Sequence, residues 1–418
     1  MSASKLPESI ADFSSRATEW ISANLPSTDD PPQNPIELQR CLFDNGFAGI
    51  AFPAEYGGAG LTLEHQKVFY DLAREMGRQV PTGTGLMVSV GMLGPTLLEH
   101  GSHEAKAKFL PRLLRGDDLW IQLLSEPRGG SDMAGARTRL TRDGDSYVLS
   151  GSKMWSTGAH VSHYGLCLAR TDWEAPKHRG LSMIAVPLDT GTEGLVVQQT
   201  RTADGTLGEF CEEFFDDVAL PAENLIGEEN TGWSVAQTLL FHERNAAANV
   251  GFGYTGWEQS SSRRAGYEPG RLEDLIRTAR ARGTDGDSSV RQLIADVHID
   301  NTVVPLTSDR IMLGMSLGTH QGQWGSLLKL QYSEGAVERV RAALAVSGAE
   351  GVIWDDDEVE LDNPGTSWLL IRGGTLAGGS SEMQRNIISE RLLGLPREPS
   401  VERGIPFNEV IRNQKSPE

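Results

Sequence analysis

The chain has 418 residues, 57 of them acidic and 38 basic, for a formal net charge of −19. That acidic excess excludes a nucleic-acid-binding surface and a polybasic membrane patch, since both need a basic face. With 39% hydrophobic and 23% charged residues, the composition is that of a folded chain, and roughly 100–200 residues per domain predicts two to four domains or layers.

The N-terminal stretch from Met1 to Phe13 shows no apolar leader and no cleavage pattern. Up to residue 118 the pattern is helical. Leu38, Leu42 and Phe43 fall on one face of one candidate helix, and Val68, Leu72 and Met76 on one face of another. Turn signals at Glu55–Gly60 and Pro81–Gly85 separate such segments. Residues 96–115 read as a helix pair broken at Gly101-Ser102.

From about residue 119 the period changes. Tyr147-Val148-Leu149 follows the turn Asp143-Gly144-Asp145, which predicts a hairpin. Tyr164–Ala169, Leu181–Val186, Leu195–Val197 and Phe210–Phe215 are apolar runs of strand length. From Thr231 to Pro396 the chain is helical again, with one long helix running from Trp233 towards Arg264 and others covering Val290 to about Val346. The polar tail after Pro396 is expected to be loose. The expected organisation is an N-terminal α domain (1–118), a middle β domain (119–228), a C-terminal helical domain (229–396) and a tail (397–418).

The three cysteines, Cys41, Cys167 and Cys211, form neither a CxxC pair nor an even framework. A reducing cytoplasm is therefore expected. No run approaches about 18 apolar residues, so no membrane span is expected. Several short motifs are decoys. Gly251–Gly256 matches GxGxxG, but inside a helical pattern, whereas a phosphate cradle needs a strand before it. Gly314–Gly318 matches GxSxG, again without the strand-to-helix turn of a nucleophile elbow. His160 and His163 lack a third ligand, and no metal site is expected.

Two segments carry chemistry. Gln122-Leu123-Leu124-Ser125-Glu126-Pro127, continuing through Gly129-Gly130-Ser131-Asp132, is an apolar run ending in a loop dense in hydroxyls and backbone donors. It reads as a ledge for a planar polar heterocycle or as an ordinary Ser turn closing a strand. Gly151–Ala159 sets Trp155 and Thr157 two apart, on one side of an extended chain. That arrangement could wall a ring, or place a core tryptophan in a hairpin.

Together these segments resemble the acyl-CoA dehydrogenase family. The resemblance runs from Gly46–Gly58 and Gly94–Gly116 through both loops, Phe215–Trp233 and Gly378–Asn386, about residues 35 to 396. It implies an α+β fold: an N-terminal α-helical domain, a β-barrel-like middle domain and a C-terminal four-helix bundle. It also implies FAD, an acyl-CoA substrate, a homo- or hetero-oligomer built as a dimer of dimers, and an electron-transfer flavoprotein or similar acceptor. By resemblance, the flavin contacts are Gln122, Leu124, Ser125, Gly130, Trp155, Ser156, Thr157, Ser380 and Glu382, and the substrate contacts are Ser131 and Arg244.

The family's reaction needs a carboxylate to remove an α-proton. The usual position is occupied here by Gly378. Some members place the glutamate in a Glu-Arg pair on the helix after the β domain, and Glu243-Arg244 supplies that pair. Trp233, Ala236, Leu240, Glu243, Ala247, Val250 and Tyr254 follow helical spacing, so Glu243 is expected in an apolar stripe where burial raises a carboxyl's pKa. Two further family elements are absent. Arg280–Gln292 stands where an Arg-x-x-Phe-Gly segment and a glutamine reach a neighbouring subunit's cofactor. Ser347–Glu358, with Asp355-Asp356-Asp357, stands where a glycine-rich loop meets pyrophosphate. A chain lacking these would depend on a related partner subunit to complete a cofactor site. The rival expectations are a non-catalytic or cofactor-sharing subunit, or another flavoenzyme on the same fold.

Overall fold

The computed structural model describes residues 8–30, 34–81, 83–205, 207–247, 270–320, 322–353, 363–400 and 402–414. The chain divides into two compact units. One comprises Met1–Thr200, Glu209–Ser261 and Val401–Glu418, the other Arg201–Gly208 and Ser262–Ser400.

The first unit opens with helices α1 (Ile10–Asn24), α2 (Pro35–Asp44) and α3 (Leu63–Glu75). Ser9, Asn34 and Thr62 cap them, each side chain accepting a backbone N–H of the first turn. Phe13, Ala17 and Ile21 lie one helical turn apart on α1 and join Leu42, Phe47, Phe69 and Ala73 in a core. The short α4 (Thr84–Leu86) runs through a π-helical stretch, Met87–Leu93, into α5 (Gly94–His100). The expected break at Gly101-Ser102 is present: Ser102 caps α6 (His103–Arg115).

Eight strands follow: β1 (Trp120–Leu123), β2 (Arg139–Asp143), β3 (Ser146–Thr157), β4 (Tyr164–Arg170), β5 (Leu181–Pro187), β6 (Leu195–Arg201), β7 (Leu207–Pro221) and β8 (Leu225–Ile226). They form one mixed sheet in the order β6-β7-β3-β2-β4-β5-β8, with β1 pairing β4 in parallel. The β2–β3 hairpin turns at Gly144, whose φ of 59° is left-handed. β4 and β5 are buried on both faces, which explains their uninterrupted apolar sequence. Leu166, Leu168, Met183 and Ala185 face a core with Phe109 and Trp120, joined by Val235, Ala236 and Leu239 of α7 (Gly232–Ala247). Cys167, Ala169, Ile184 and Val186 face the opposite core, with Tyr147, Leu149 and Phe215.

This two-residue alternation decides where β1 points. Ile121 and Leu123 belong to the second core, Trp120 and Leu124 to the first. Gln122 therefore faces the side on which α7 packs. The part of the long helix expected beyond Ala247, including Val250, Tyr254 and the Gly251–Gly256 match, lies outside the described residues.

The second unit contains α8 (Leu272–Ala281), α9 (Ser288–Ser316), α10 (Gly325–Ser347), α11 (Pro364–Ile371), α12 (Gly373–Leu376) and α13 (Ser381–Ile387). Leu275, Ala279, Val297, Ala342, Ala343 and Val346 form its core. Gly314–Ser316 closes α9, and Gly318 follows at a φ of 70°, so the GxSxG match is a helix end.

The C-terminal tail differs from expectation. α14 (Phe407–Gln414) packs in the first unit. The N–H groups of Phe407 and Asn408 donate to the carbonyls of Ala175 and Trp173. The Phe407 ring lies 3.6 Å under the guanidinium of Arg170, and Phe407 and Val410 are buried. Their apolar pair, one helical turn apart, is enough to dock a short segment that is otherwise polar.

Candidate active site

The site is built on the loop after β1, the far end of β3, and α7. Gln122 Nε2 donates to Glu243 Oε2 at 3.1 Å. Gln122 Oε1 is buried and has no hydrogen-bond partner among the described residues. Glu243 is half-buried, one turn beyond the buried Leu239 and two turns beyond the buried Ala236. Arg244, its chain neighbour, is exposed. Adjacent helix residues point in different directions, so the structure does not bring Arg244 to Gln122.

Beyond β1 the chain forms the Ser125–Ser131 loop. Ser125 is partly exposed, while Gly130 and Ser131 are exposed. A Cβ at Gly130 would stand 3.6 Å from the Ser125 hydroxyl oxygen, so glycine keeps the space before that hydroxyl open. The backbone carbonyl of Ser125 accepts from Met154 N–H at 3.1 Å, which ties the loop to β3.

Strand β3 carries a bulge. Lys153 is opposite Glu213 and Met154 opposite Glu212, after which the pairing slips to Ser156 opposite Cys211. Trp155 is the extra residue. Its φ is 65°, unusual for a bulky side chain, and its indole is 55% exposed with an edge-to-face contact to Phe210. Strain at an exposed aromatic is found where the side chain must be aimed at something. Thr157 is partly exposed. Ser156 points the other way: it is buried, and its hydroxyl donates to Glu213 Oε2 at 2.9 Å. Its sequence neighbours Trp155 and Thr157 reach the surface, while its own hydroxyl is committed to the interior. Leu124 is buried, and its carbonyl accepts from Lys153 Nζ.

In the second unit, Ser380 caps α13 by accepting Met383 N–H. Glu382 sits in that helix's first turn, where its own backbone N–H and the Ser380 hydroxyl hold its carboxyl below the usual range. Gly378 has a left-handed φ of 63° and carries no carboxylate. Arg282, in the segment that departs from the family pattern, pairs with Glu350 at 3.0 Å. Asp355–Glu358 lies outside the described residues.

Behind the loop and β3 lies a charged group not anticipated from sequence. Lys153 is fully buried and donates to Glu126 Oε1 and the Leu124 carbonyl, both at 3.0 Å. Burial pushes the Glu126 carboxyl up, but Lys153 and the N–H groups of Arg137 and Thr138 outweigh it and hold Glu126 ionised. The available signal was parity: Lys153 falls on the same alternate positions of β3 as the buried Tyr147 and Leu149.

The chain matches the family models for the acyl-CoA dehydrogenase N-terminal domain over residues 6–117, the middle domain over 122–218 and the C-terminal domain over 230–393. Acyl-CoA dehydrogenase IpdE1 of Mycobacterium tuberculosis is 34% identical over 361 residues, 84% of this chain and 86% of that protein. Among solved structures, the Tcur3481-Tcur3483 steroid ACAD is 27% identical with a TM-score of 0.67, covering 94% of this chain and 99% of that one. The ChsE4-ChsE5 complex from Mycobacterium tuberculosis is 27% identical with a TM-score of 0.63, covering 95% and 100%.

The chain belongs to the acyl-CoA dehydrogenase family, whose members dehydrogenate acyl-CoA thioesters with a flavin. The residues present fit that cofactor: an orphaned Gln122 Oε1, an opening before Ser125 and a strained, outward Trp155 provide polar contact, space and an aromatic wall. No described helix is long and apolar enough to cross a membrane.

Proposed function

We propose that Glu243 is the base that removes the α-proton of an acyl-CoA thioester. The observation that carries this reading is the Gln122–Glu243 hydrogen bond. It aims a half-buried carboxylate at the end of the strand whose following loop offers Ser125 and Ser131. Gln122 Nε2 fixes the orientation of the carboxylate through Oε2. The cofactor is FAD, with Ser125, Gly130, Trp155 and Thr157 of the first unit as its contacts. Bound flavin supplies a two-electron acceptor for the hydrogen that leaves the β-carbon as hydride. Trp155 shields one side of the ring site from water, and Thr157 offers a hydroxyl to the polar edge. Ser131 and Arg244 serve the thioester side.

The chain works in an oligomer with a related subunit, in the cytoplasm, and passes electrons to a separate flavoprotein. Two solved relatives are hetero-complexes by name, and this chain departs from the family at Arg280–Gln292 and Ser347–Glu358. In the second unit, Ile299, Val303, Leu306 and Leu313 of α9 are all exposed at heptad-like spacing, which suits burial against another chain. By the same likeness the substrate is a bulky thioester of the steroid side-chain kind.

The test is anaerobic mixing of the flavin-loaded protein with straight-chain and steroid side-chain acyl-CoAs, following flavin bleaching. Wild type should bleach. Glu243→Gln should bind the thioester but bleach roughly 10²–10⁴-fold more slowly. Equal bleaching by both removes Glu243 as the base. One flavin per chain in a fully active homo-oligomer overturns the shared-site assembly.

A further inference from the structure

Two carboxylates are buried behind β3, and they are held in different ways. Glu126 accepts from one ammonium and two backbone N–H groups. Glu213 is fully buried, accepts one hydroxyl hydrogen bond, from Ser156, and leaves Oε1 without a partner among the described residues. Lys153 is paired across the strands with Glu213, yet its ammonium is committed to Glu126 and the Leu124 carbonyl. Around Glu213 stand Lys153 and Ser156 of β3, Glu212 and Cys211 of β7 and Cys167 of β4, with Glu126 of the β1 loop on the far side of the Lys153 ammonium. One cation therefore faces two carboxyls, and the better-solvated carboxyl claims it.

Ser156 is the residue immediately after the bulged Trp155 and immediately before Thr157. The hydroxyl that holds Glu213 thus fixes the inward side of the segment whose outward side presents the indole. We infer that Glu213 is a positioning residue for the flavin wall: its proton controls how firmly Ser156 anchors the Trp155 bulge. This deepens, and rests on, the reading of Trp155 and Thr157 as cofactor contacts. Burial pushes the Glu213 carboxyl up to about 7, against the smaller lowering effects of Ser156 and Lys153. Both forms are then populated near neutrality. Neutral Glu213 needs no further donor at Oε2 and suits its apolar surroundings. The ionised form demands hydration that the interior cannot give, and it sets a negative charge behind a site meant for an electron-rich ring and a pyrophosphate.

The experiment uses flavin-free and flavin-loaded full-length protein between pH 5.5 and 8.5. In the flavin-free protein, tryptophan emission should show one ionisation near neutrality. Trp155→Phe should remove the signal, and Glu213→Gln should hold it at its acid-limb value. In parallel, flavin affinity of the wild type should fall several-fold across the same step, while Glu213→Gln stays at the tight acid limb throughout. Ser156→Ala uncouples the pair: the thermal midpoint should keep its Glu213-dependent pH response while Trp155 emission no longer follows it. The sign of that response is fixed. The folded form holds its proton to a higher pH than the unfolded chain, so stability falls as pH rises from about 4.5 to about 7 and is flat above. A wild-type emission step that survives in Glu213→Gln, or no step in the wild type, overturns the inference. A step in Trp155 emission with no matching change in flavin affinity overturns the cofactor-wall reading instead, and leaves the Glu213–Trp155 coupling standing.

Discussion

Gln122 and Glu243 stand 121 positions apart in the chain, and their side chains meet at 3.1 Å. The contact joins a strand residue on the helix-facing side of the sheet to α7, one turn beyond the buried Leu239. It ties the orientation of the proposed base to the strand that leads into the cofactor loop. Replacing Gln122 with leucine keeps the bulk and removes the donor. A hydrogen bond to a charged group contributes about 1.5–3 kcal/mol, so kcat should fall roughly tenfold or more with KM little changed. Steady-state kinetics on the flavin-loaded protein checks this. An unchanged kcat would mean that the carboxylate is held by other contacts.

Trp155 carries backbone strain of roughly 1–2 kcal/mol at its left-handed φ, and glycine relieves it. Trp155→Gly should leave the flavin-free protein within about 1 kcal/mol of the wild type by chemical denaturation, while flavin affinity drops. A parallel loss of stability and flavin binding would instead make Trp155 a packing residue.

The Lys153–Glu126 pair at 3.0 Å is buried on both sides. Lys153→Met leaves Glu126 without its cation and should cost about 3–5 kcal/mol. Lys153→Met combined with Glu126→Gln should recover part of that loss, because no unpaired charge remains. The double-mutant cycle is read from urea midpoints.

Phe407 docks the C-terminal helix under Arg170. Arg170 is itself buried and donates to the carbonyls of Ala134, Ala136 and Lys177. Phe407→Ala should cost about 3–5 kcal/mol and increase proteolysis after Pro396. Resistance equal to wild type would show that the tail is held by Lys177–Glu402 and the backbone bonds alone.

The exposed seam on α9 gives a test that is independent of catalysis. Leu306→Glu and Leu313→Glu should shift the sedimenting species to lower mass without altering helix content. Retention of the full oligomer by both variants places the contact elsewhere.

Much of this architecture is legible in the sequence. The change of period near residue 119, the turn at Gly144 and the cap at Ser102 are local signals, and each is present in the structure. Glu243 is singled out as a candidate because the Glu243-Arg244 pair resembles the family's, with apolar residues at helical spacing before it. The side-chain partner of that glutamate could not be named, because the Gln122 contact depends on which face of β1 meets α7, which only sheet order decides. Ser156 was expected among the flavin contacts by resemblance alone; its hydroxyl is instead buried on Glu213, on the side of β3 opposite the exposed Trp155. Lys153 and Glu213 stand on inward positions of their strands, but what holds them could not be read, since Glu126 and Ser156 lie 27 and 57 residues away. The tail was expected to be loose because two apolar side chains in a polar segment carry little weight until Arg170 and Ala175 are placed against them.

Gln122, Ser125, Trp155, Thr157 and Glu243 all belong to the first compact unit, whereas Gly378, where relatives place the carboxylate, belongs to the second. On the proposed assignment, aiming the base requires only folding within the first unit, since strand parity and helix phase set it. The helices of the second unit are released from delivering a proton acceptor. Their sequence can drift towards fitting a bulkier substrate or a non-identical partner without the reaction being lost on the way.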